Sequence, residues 1–385
     1  MTATPCTAKT TTFFQRLEQT PGLDGRDNRG KKHSIGLVLT GLVLALCCGR
    51  DGKLSSLHRH LVNHFEILCK ATHMTNQRVI SRAQLPLLLA KVNGVLFAQL
   101  LFEWFGLTLD EELKRWFALD GKELRGSIQT DHTRGQACVS ALAHDSQEIA
   151  NQAYYNGSKE SERPTVRQLL NETGLYNQKL TLDALHLIPL TLKAIHGADG
   201  VYVIGVKANQ DHLYRYCICS SLINKAAYQR NDVPQRGHGR IDQRQYCCLP
   251  VSPFALATRW KDAGINTLLR VKRIRQGLDG NGRTEEVSYF LSNAQPANQT
   301  AADELFDAIR QHWRIEAMHY RRDVTLREDA LRTGSQAISR LMSSLRTMTL
   351  NLLRRIKPKN MAAQLDEFAD RFHTLILFMN QEMVL

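Results

Sequence analysis

The sequence has no apolar run long enough to cross a membrane. Its most apolar stretch, IGLVLTGLVLALCC at 35–48, spans 14 residues, against the roughly 20 that a spanning helix needs, and reads as a buried helix. No secretory signal is expected either, because MTATPCTAKTTTFFQRLEQTPG is polar. There is no CxxC pair among the nine cysteines, which are Cys6, Cys47, Cys48, Cys69, Cys138, Cys217, Cys219, Cys247 and Cys248. Cys217-x-Cys219 and Cys247-Cys248 lack the spacing of a zinc ribbon or finger, so reduced, buried thiols in a cytosol are expected. No internal repeat or low-complexity segment stands out. Acid is scarce as well: 37 Asp and Glu face 50 Lys and Arg, a net charge of +13. That balance leans toward a polyanionic partner, nucleic acid before an anionic membrane, although a merely soluble basic protein shares it. What is present is ordinary globular composition, 43% hydrophobic and 23% charged over 385 residues, with room for two or three domains.

Two rhythms divide the chain. Residues 1–108 read as a helical domain: Leu54, Leu57, Leu61, Phe65 and Leu68 recur at helical spacing. Its basic turn LDGRDNRGKKHS (23–34) and His58, Arg59 and His60 are either DNA contacts or a solvated face. Residues 109–385 read as strands and helices in alternation. WFALD (116–120), ACVSALAHD (137–145) and EIANQAYYN (148–156) are strands, the last two paired through a turn at Ser146 and Gln147. A helix follows over Thr165–Thr173, after Pro164 and up to Gly174. KLTLDALH (179–186) is a strand ending in Asp183, and VYVIGVKA (201–208) is a buried strand; each leads into a helix. Three hairpin-linked strands followed by strand–helix units give an α+β fold with a mixed sheet, in the order of an RNase H-like core. Residues 225–298 interrupt it as a β-rich insertion, with GLDGNG (277–282) a glycine-rich turn. Helix returns from Ala301 to about Tyr320, with Leu305, Ile309, Trp313 and Ile315 as packing residues, and again over 336–380.

Asp120 and Asp183 close two strands of one expected sheet. Two carboxylates brought together repel and raise one pKa; a hard divalent cation removes that cost, which points to Mg²⁺ or Mn²⁺. A third acid is sought on the late helix, in RQHWRIEAMHYRRDVTLRED (310–329). Glu316 has His312 four residues before it and His319 three after, on one face, with Asp323, Glu328 and Asp329 as competitors. The same three side chains resemble a zinc-ligand set, which leaves a zinc hydrolase open.

FALDGKELRGS, LTLDALH with VIGVKANQ, RGHGRIDQRQ and HWRIEAMHYRRDVTLRED stand in the order found in DDE-type insertion-sequence transposases. They most resemble the branch of H-repeat-associated proteins, with its DGK-x-x-RGS, D-A-x-H, K-x-N-Q, HGR-I-E/D and HW-x-IE…DVT-x-x-ED blocks, and the likeness covers nearly the whole chain. It implies a catalytic, metal-binding triad of Asp120, Asp183 and Glu316 holding two Mg²⁺ (or Mn²⁺) ions. It implies an RNase H-like catalytic core interrupted by β-strands before the glutamate helix. The partners implied are double-stranded DNA, as terminal inverted repeats and target, and a second copy in a homodimer, in the bacterial cytoplasm at the nucleoid and with no membrane. In the wider superfamily a Tyr and an Arg precede the glutamate and a Lys follows; here Ile309, His312 and Asp323 stand there.

Candidate DNA contacts surround these acids. Lys122, Arg125 and Ser127 follow the first, where a phosphate backbone would pass. Lys207 and Asn209 follow the next strand, Asn209 being equally suited to cap a helix. His238 and Arg240 read as a hairpin tip that enters DNA or as a plain turn. His312, Arg314, Arg321 and Arg322 complete a basic face on the glutamate helix. Trp313 reads as core rather than as a base-stacking platform.

Overall fold

The computed structural model describes residues 11–106, 109, 112–237, 239–252, 256–280 and 282–385. Five helices come first: α1 (Phe13–Gln19), α2 (Ile35–Cys47), α3 (Leu54–Ala71), α4 (Gln84–Leu89) and α5 (Gly94–Phe105). The 14-residue apolar run becomes α2, capped by the Ser34 side chain on the Leu37 N–H and buried along its whole length. Among the described residues no helix is long and apolar enough to cross a membrane.

Three strands follow, β1 (Trp116–Leu124), β2 (Gln136–Ala143) and β3 (Ile149–Asn156), then α6 (Lys159–Thr173), β4 (Lys179–Leu182), α7 (Pro189–Gly197), β5 (Val201–Val206) and α8 (Asp211–Ile223). The insertion contributes β6 (Tyr228–Asn231), β7 (Gln235–Gly237), β8 (Arg240–Pro250), β9 (Thr267–Gly277) and β10 (Thr284–Ser292). Helices α9 (Gln299–Tyr320), α10 (Gln336–Ile356), α11 (Met361–Asp370) and α12 (Phe372–Gln381) close the chain. Helix α6 begins earlier than its proline suggested, because Ser158 caps it through the Ser161 N–H and Pro164 falls inside.

Among the described residues the ten strands form one mixed sheet in the order β3-β2-β1-β4-β5-β10-β9-β8-β6, with β7 on β8. Strands β1, β4 and β5 run parallel, while β1–β2–β3 and the insertion are antiparallel. The insertion is therefore no separate module: β10 pairs with β5, Tyr289 opposite Val206. One face of the core carries α6, α7 and α8 over Phe117, Leu119, Leu180 and Ile204. Helix α9 packs Ala302, Leu305, Phe306 and Ile309 on Tyr246, Cys248, Leu269 and Val271 of the insertion.

The N-terminal helices share a single core with α10–α12. The Phe13 and Phe14 N–H groups donate to the Met383 and Val384 carbonyls at 2.9 Å each. Six cysteines, Cys47, Cys48, Cys138, Cys217, Cys247 and Cys248, are buried free thiols as expected, while Cys219 is exposed; burial pushes Cys217 up to about 12 and Cys248 to about 11.

Strand β1 differs from expectation in an instructive way. It does not end at Asp120 but runs on to Leu124 beside β2; only its parallel partner β4 stops, at Leu182 opposite Leu119. Beyond Leu124 the chain docks on the segment after α9. The Arg125 N–H donates to Asp329 Oδ1 at 3.1 Å and the Thr333 N–H to the Gly126 carbonyl. A Cβ on Gly126 would lie 1.8 Å from the Leu331 carbonyl oxygen, so only glycine allows this approach. Gly126→Ala should therefore destabilise the fold by at least ~1–3 kcal/mol, the range of overpacking. Denaturant unfolding checks this, and a midpoint equal to the parent's would refute it.

Candidate active site

Because β4 is parallel to β1 and in register with it, Asp120 and Asp183 each follow one member of the last parallel pair, Leu119 and Leu182. Both carboxylates thus stand at one level of two adjacent strands, where β4 ends and β1 runs on. Asp183 also caps the short turn Ala184–His186, its Oδ1 accepting the Ala184 N–H at 2.5 Å. Asp120 shares its strand face with Ala118, toward α9.

Helix α9 brings Glu316 to the same place. Its carboxyl is raised from the ordinary value, first by partial burial and then by the negative charges of Asp120 and Asp183. Asp120 behaves oppositely. Burial opposes its ionisation, but His319, His312 and the Gly121 N–H outweigh that and hold it below the ordinary value. His319 Nε2 lies 3.3 Å from Asp120 Oδ2; the ring is close enough for charge attraction but not aligned as a hydrogen-bond donor, since both its nitrogens lack a hydrogen-bond partner. Lys207 Nζ lies 3.0 Å from Asp183 Oδ1. Each aspartate is thus paired at close range with a cationic or protonatable group, while Glu316 feels Lys207 only as an opposing charge that burial and the two aspartates outweigh.

Two imidazoles meet on one hydroxyl. His312 Nδ1 lies 2.9 Å from Thr181 Oγ1, and buried His144 contacts the same hydroxyl through Nε2 at 3.1 Å. Burial, with the positive charges of His312 and Arg314, pushes His144 down to about 3. Hence His312, Glu316 and His319 do not converge as a zinc set. Among the described residues no three His, Cys, Asp or Glu side chains are placed to hold a metal ion as they stand, and this includes the three acids. The chemistry of the acid set nevertheless suits a hard divalent cation: the donors are carboxylate oxygens alone, positive groups already sit on two of them, and the third is raised by repulsion that a cation would relieve.

Several residues expected at a DNA surface lie elsewhere. Lys122 is 8% exposed, its Nζ 2.6 Å from Asp323 and 3.3 Å from Glu328. Arg322 is fully buried, its Nε and Nη2 donating to the two Glu328 oxygens at 2.9 and 2.6 Å and Nη2 also to Ser343 Oγ. Ser127 is buried, donating to the Leu124 carbonyl and accepting the Gln136 N–H. The acids that competed with Glu316 are thereby accounted for: Asp323 and Glu328 neutralise Lys122 and Arg322, and Asp329 takes the Arg125 N–H. Arg314 donates from Nη1 to the His144 carbonyl at 2.7 Å. Arg321 is half-buried. Arg125, Lys207, Asn209 and Arg240 are exposed, and Asn209 does not cap α8; His238 lies outside the described residues. Trp313, expected in the core, is 56% exposed.

No family model matches the chain. Among curated proteins it is 26% identical over 274 residues to "Putative transposase YncI" of Escherichia coli O157:H7, covering 70% of this chain and 69% of that one. It is 24% identical over 265 residues to "H repeat-associated putative transposase YhhI" of Escherichia coli K12, covering 67% and 68%. The chain is related to transposases of the H-repeat branch. A further relative, "Putative protein YbfL" of Escherichia coli K12, is 25% identical over 244 residues, 61% of this chain and 63% of that one.

Sequence reading missed a polar group on the opposite face of β1. Tyr155 donates to Glu162 Oε2 at 2.9 Å, and His186 Nε2, fully buried, lies 3.2 Å from Glu162 Oε1. A Cβ on Gly121 would fall 2.5 Å from the Glu162 carboxyl carbon and 2.6 Å from the Tyr155 hydroxyl. The glycine after Asp120, and the histidine closing D-A-x-H, were the signals available.

Proposed function

We propose that the chain is a DNA transposase that cuts the ends of its element and joins them to target DNA by DDE chemistry, with Asp120, Asp183 and Glu316 as the catalytic acids. The observation that carries this reading is the convergence of charge: Asp120 and Asp183 follow adjacent residues of one parallel register, and both raise the carboxyl of Glu316. The sheet order β3-β2-β1-β4-β5, with its first three strands antiparallel and β4 and β5 parallel to β1, supports an RNase H-like core. The kinship with proteins named as transposases supports the reaction class.

A divalent cation, Mg²⁺ or Mn²⁺, held by Asp120, Asp183 and Glu316 would polarise the scissile phosphate and lower the pKa of the attacking hydroxyl. The protein's own part is placement. The sheet fixes the two aspartates and α9 carries the glutamate to them. Water, or later a DNA 3′-hydroxyl, attacks phosphorus; the bond to the leaving 3′-oxygen breaks, and that oxygen keeps the electron pair. Lys207, 67% exposed in its side chain, is free to leave Asp183 for a phosphate oxygen. Arg125 and Arg240 are the exposed basic residues left to follow the DNA backbone. The N-terminal segment 1–108 is proposed to take part in DNA binding, and two protein copies to pair the two ends.

The test is a cleavage assay on DNA bearing the inverted repeats that flank the gene. With Mg²⁺ or Mn²⁺ the purified chain should release 3′-hydroxyl ends and join pre-cut ends to a second DNA. EDTA should abolish both products. Cutting without joining would make the protein a nuclease; stoichiometric, tightly held zinc or cutting in EDTA would overturn the metal-dependent reading.

A further inference from the structure

Helix α9 has one strip that changes character along its length. Ala302, Leu305, Phe306 and Ile309 are buried on the insertion. The same strip continues at helical spacing through Trp313, Glu316 and Tyr320, but here its side chains are exposed. Trp313 is 56% and Tyr320 63% exposed. With a rise of 1.5 Å per residue, the two rings are separated by roughly 10 Å along the axis, and the proposed catalytic glutamate lies between them.

Positive charge gathers at the strip's N-terminal end. Tyr246 stacks on Phe306 of α9, with ring centroids 5.1 Å apart, so Arg244, two residues earlier on β8, shares that face. Arg273 pairs across from Arg244 in the sheet register. Asp242 serves both guanidiniums, at 3.4 Å from Arg244 and in direct contact with Arg273. Arg310 adds a third, close enough for its charge to disfavour that of Arg244, and it bonds the Gln235 side-chain oxygen at 3.3 Å. Two guanidiniums thus share one carboxylate, and the third stands beside them.

Resting on the transposase reading, we propose that Trp313 and Tyr320 form a stacking platform for unpaired nucleobases of the strand being cut, with Arg310, Arg244 and Arg273 receiving its phosphates. Aromatic rings interleaved with arginines suit an opened strand, whose bases expose π-faces that a closed duplex keeps stacked. The platform places the opened strand across Glu316. Recognition of an opened end would then depend on helix α9 itself.

Intact chain in EDTA should be titrated with three probes: single-stranded oligo(dT), a blunt duplex, and the same duplex with a short single-stranded tail. Trp104 and Trp260 are buried and Trp116 is half-buried with its Nε1 held by Glu304, so Trp313 is the exposed reporter, and the loss of quenching in Trp313→Ala separates its signal from that of Trp116. Oligo(dT) and the tailed duplex should quench emission more strongly than the blunt one. Trp313→Ala should remove that quenching and weaken tailed-duplex binding about tenfold, with less than a twofold effect on the blunt duplex; Tyr320→Ala should weaken the tailed duplex in the same direction. Circular dichroism confirms that both variants fold. If both bind the tailed duplex as the parent does, the platform is wrong while the transposase reading stands. If Trp313→Ala instead abolishes self-association in sedimentation and leaves DNA binding untouched, the strip faces a second copy and the proposal fails. If the parent binds no DNA, both fail.

Discussion

Asp183→Asn protein should bind the same DNA ends as the parent and cut them about a thousandfold more slowly or worse. Asparagine keeps the shape of the side chain and an oxygen for the Ala184 N–H, so the turn at Ala184–His186 should persist. What disappears is one negative charge of three. The transition state of phosphoryl transfer depends on the cation that this charge helps to hold, a contribution of several kcal/mol, and ~4 kcal/mol of barrier is about a thousandfold in rate. Asp120→Asn and Glu316→Gln should behave alike. Combining any two should add little, because side chains that act as one site are not additive in their removal. Single-turnover cleavage of labelled element ends measures this. Parent-like rates in all three variants would mean that the acids identified by register and charge are not the ones that act.

Glu328→Ala should cost ~3–5 kcal/mol of stability, because it leaves the fully buried Arg322 without its bidentate partner and strips Lys122 of one of two close acids. The double variant Arg322→Met, Glu328→Leu should recover much of the loss, since no uncompensated guanidinium remains. Equilibrium unfolding of the two proteins separates a charge effect from a packing effect. If the double variant is no better than the single, the pair matters for its shape. The same network predicts a pH dependence. Burial opposes the charge of Glu328, but Arg322 and Lys122 outweigh it and hold the carboxyl below its ordinary value of 4.5. With a folded pKa below the unfolded one, this contribution is complete above pH 4.5 and is lost progressively as the pH falls below it. Replacing Glu328 should flatten that acid limb.

The sequence revealed the order of elements well, because apolar periodicity switches plainly between strand and helix. It revealed less about where side chains end up. Lys122 follows Asp120 by two residues and so shares its strand face. Position in the chain suggested an exposed turn, but β1 continues past Asp120 and carries Lys122 under α9, onto Asp323 and Glu328. Arg322 reads as surface by type, and only the return of the chain with Glu328 and Ser343 shows that it is enclosed. Trp313 sits one turn beyond Ile309 and carries the same periodic signal; no local pattern tells where burial along the helix stops. Glu162 has no motif of its own. Its trace is the absence of a side chain at Gly121.

The clasp between the first and last described helices bears on synthesis. Helix α2 (Ile35–Cys47) leaves the ribosome before the helices that follow α9 and carries a single hydroxyl, Thr40, among apolar residues, yet much of its cover comes from Gln336–Ile356 and the helices after it. Until those residues are made, the nascent chain carries an exposed, aggregation-prone helix. A polypeptide stopped short of α10 would retain Asp120, Asp183 and Glu316 but leave α2 without that cover, so translation to the last helices acts as a checkpoint on the production of folded protein.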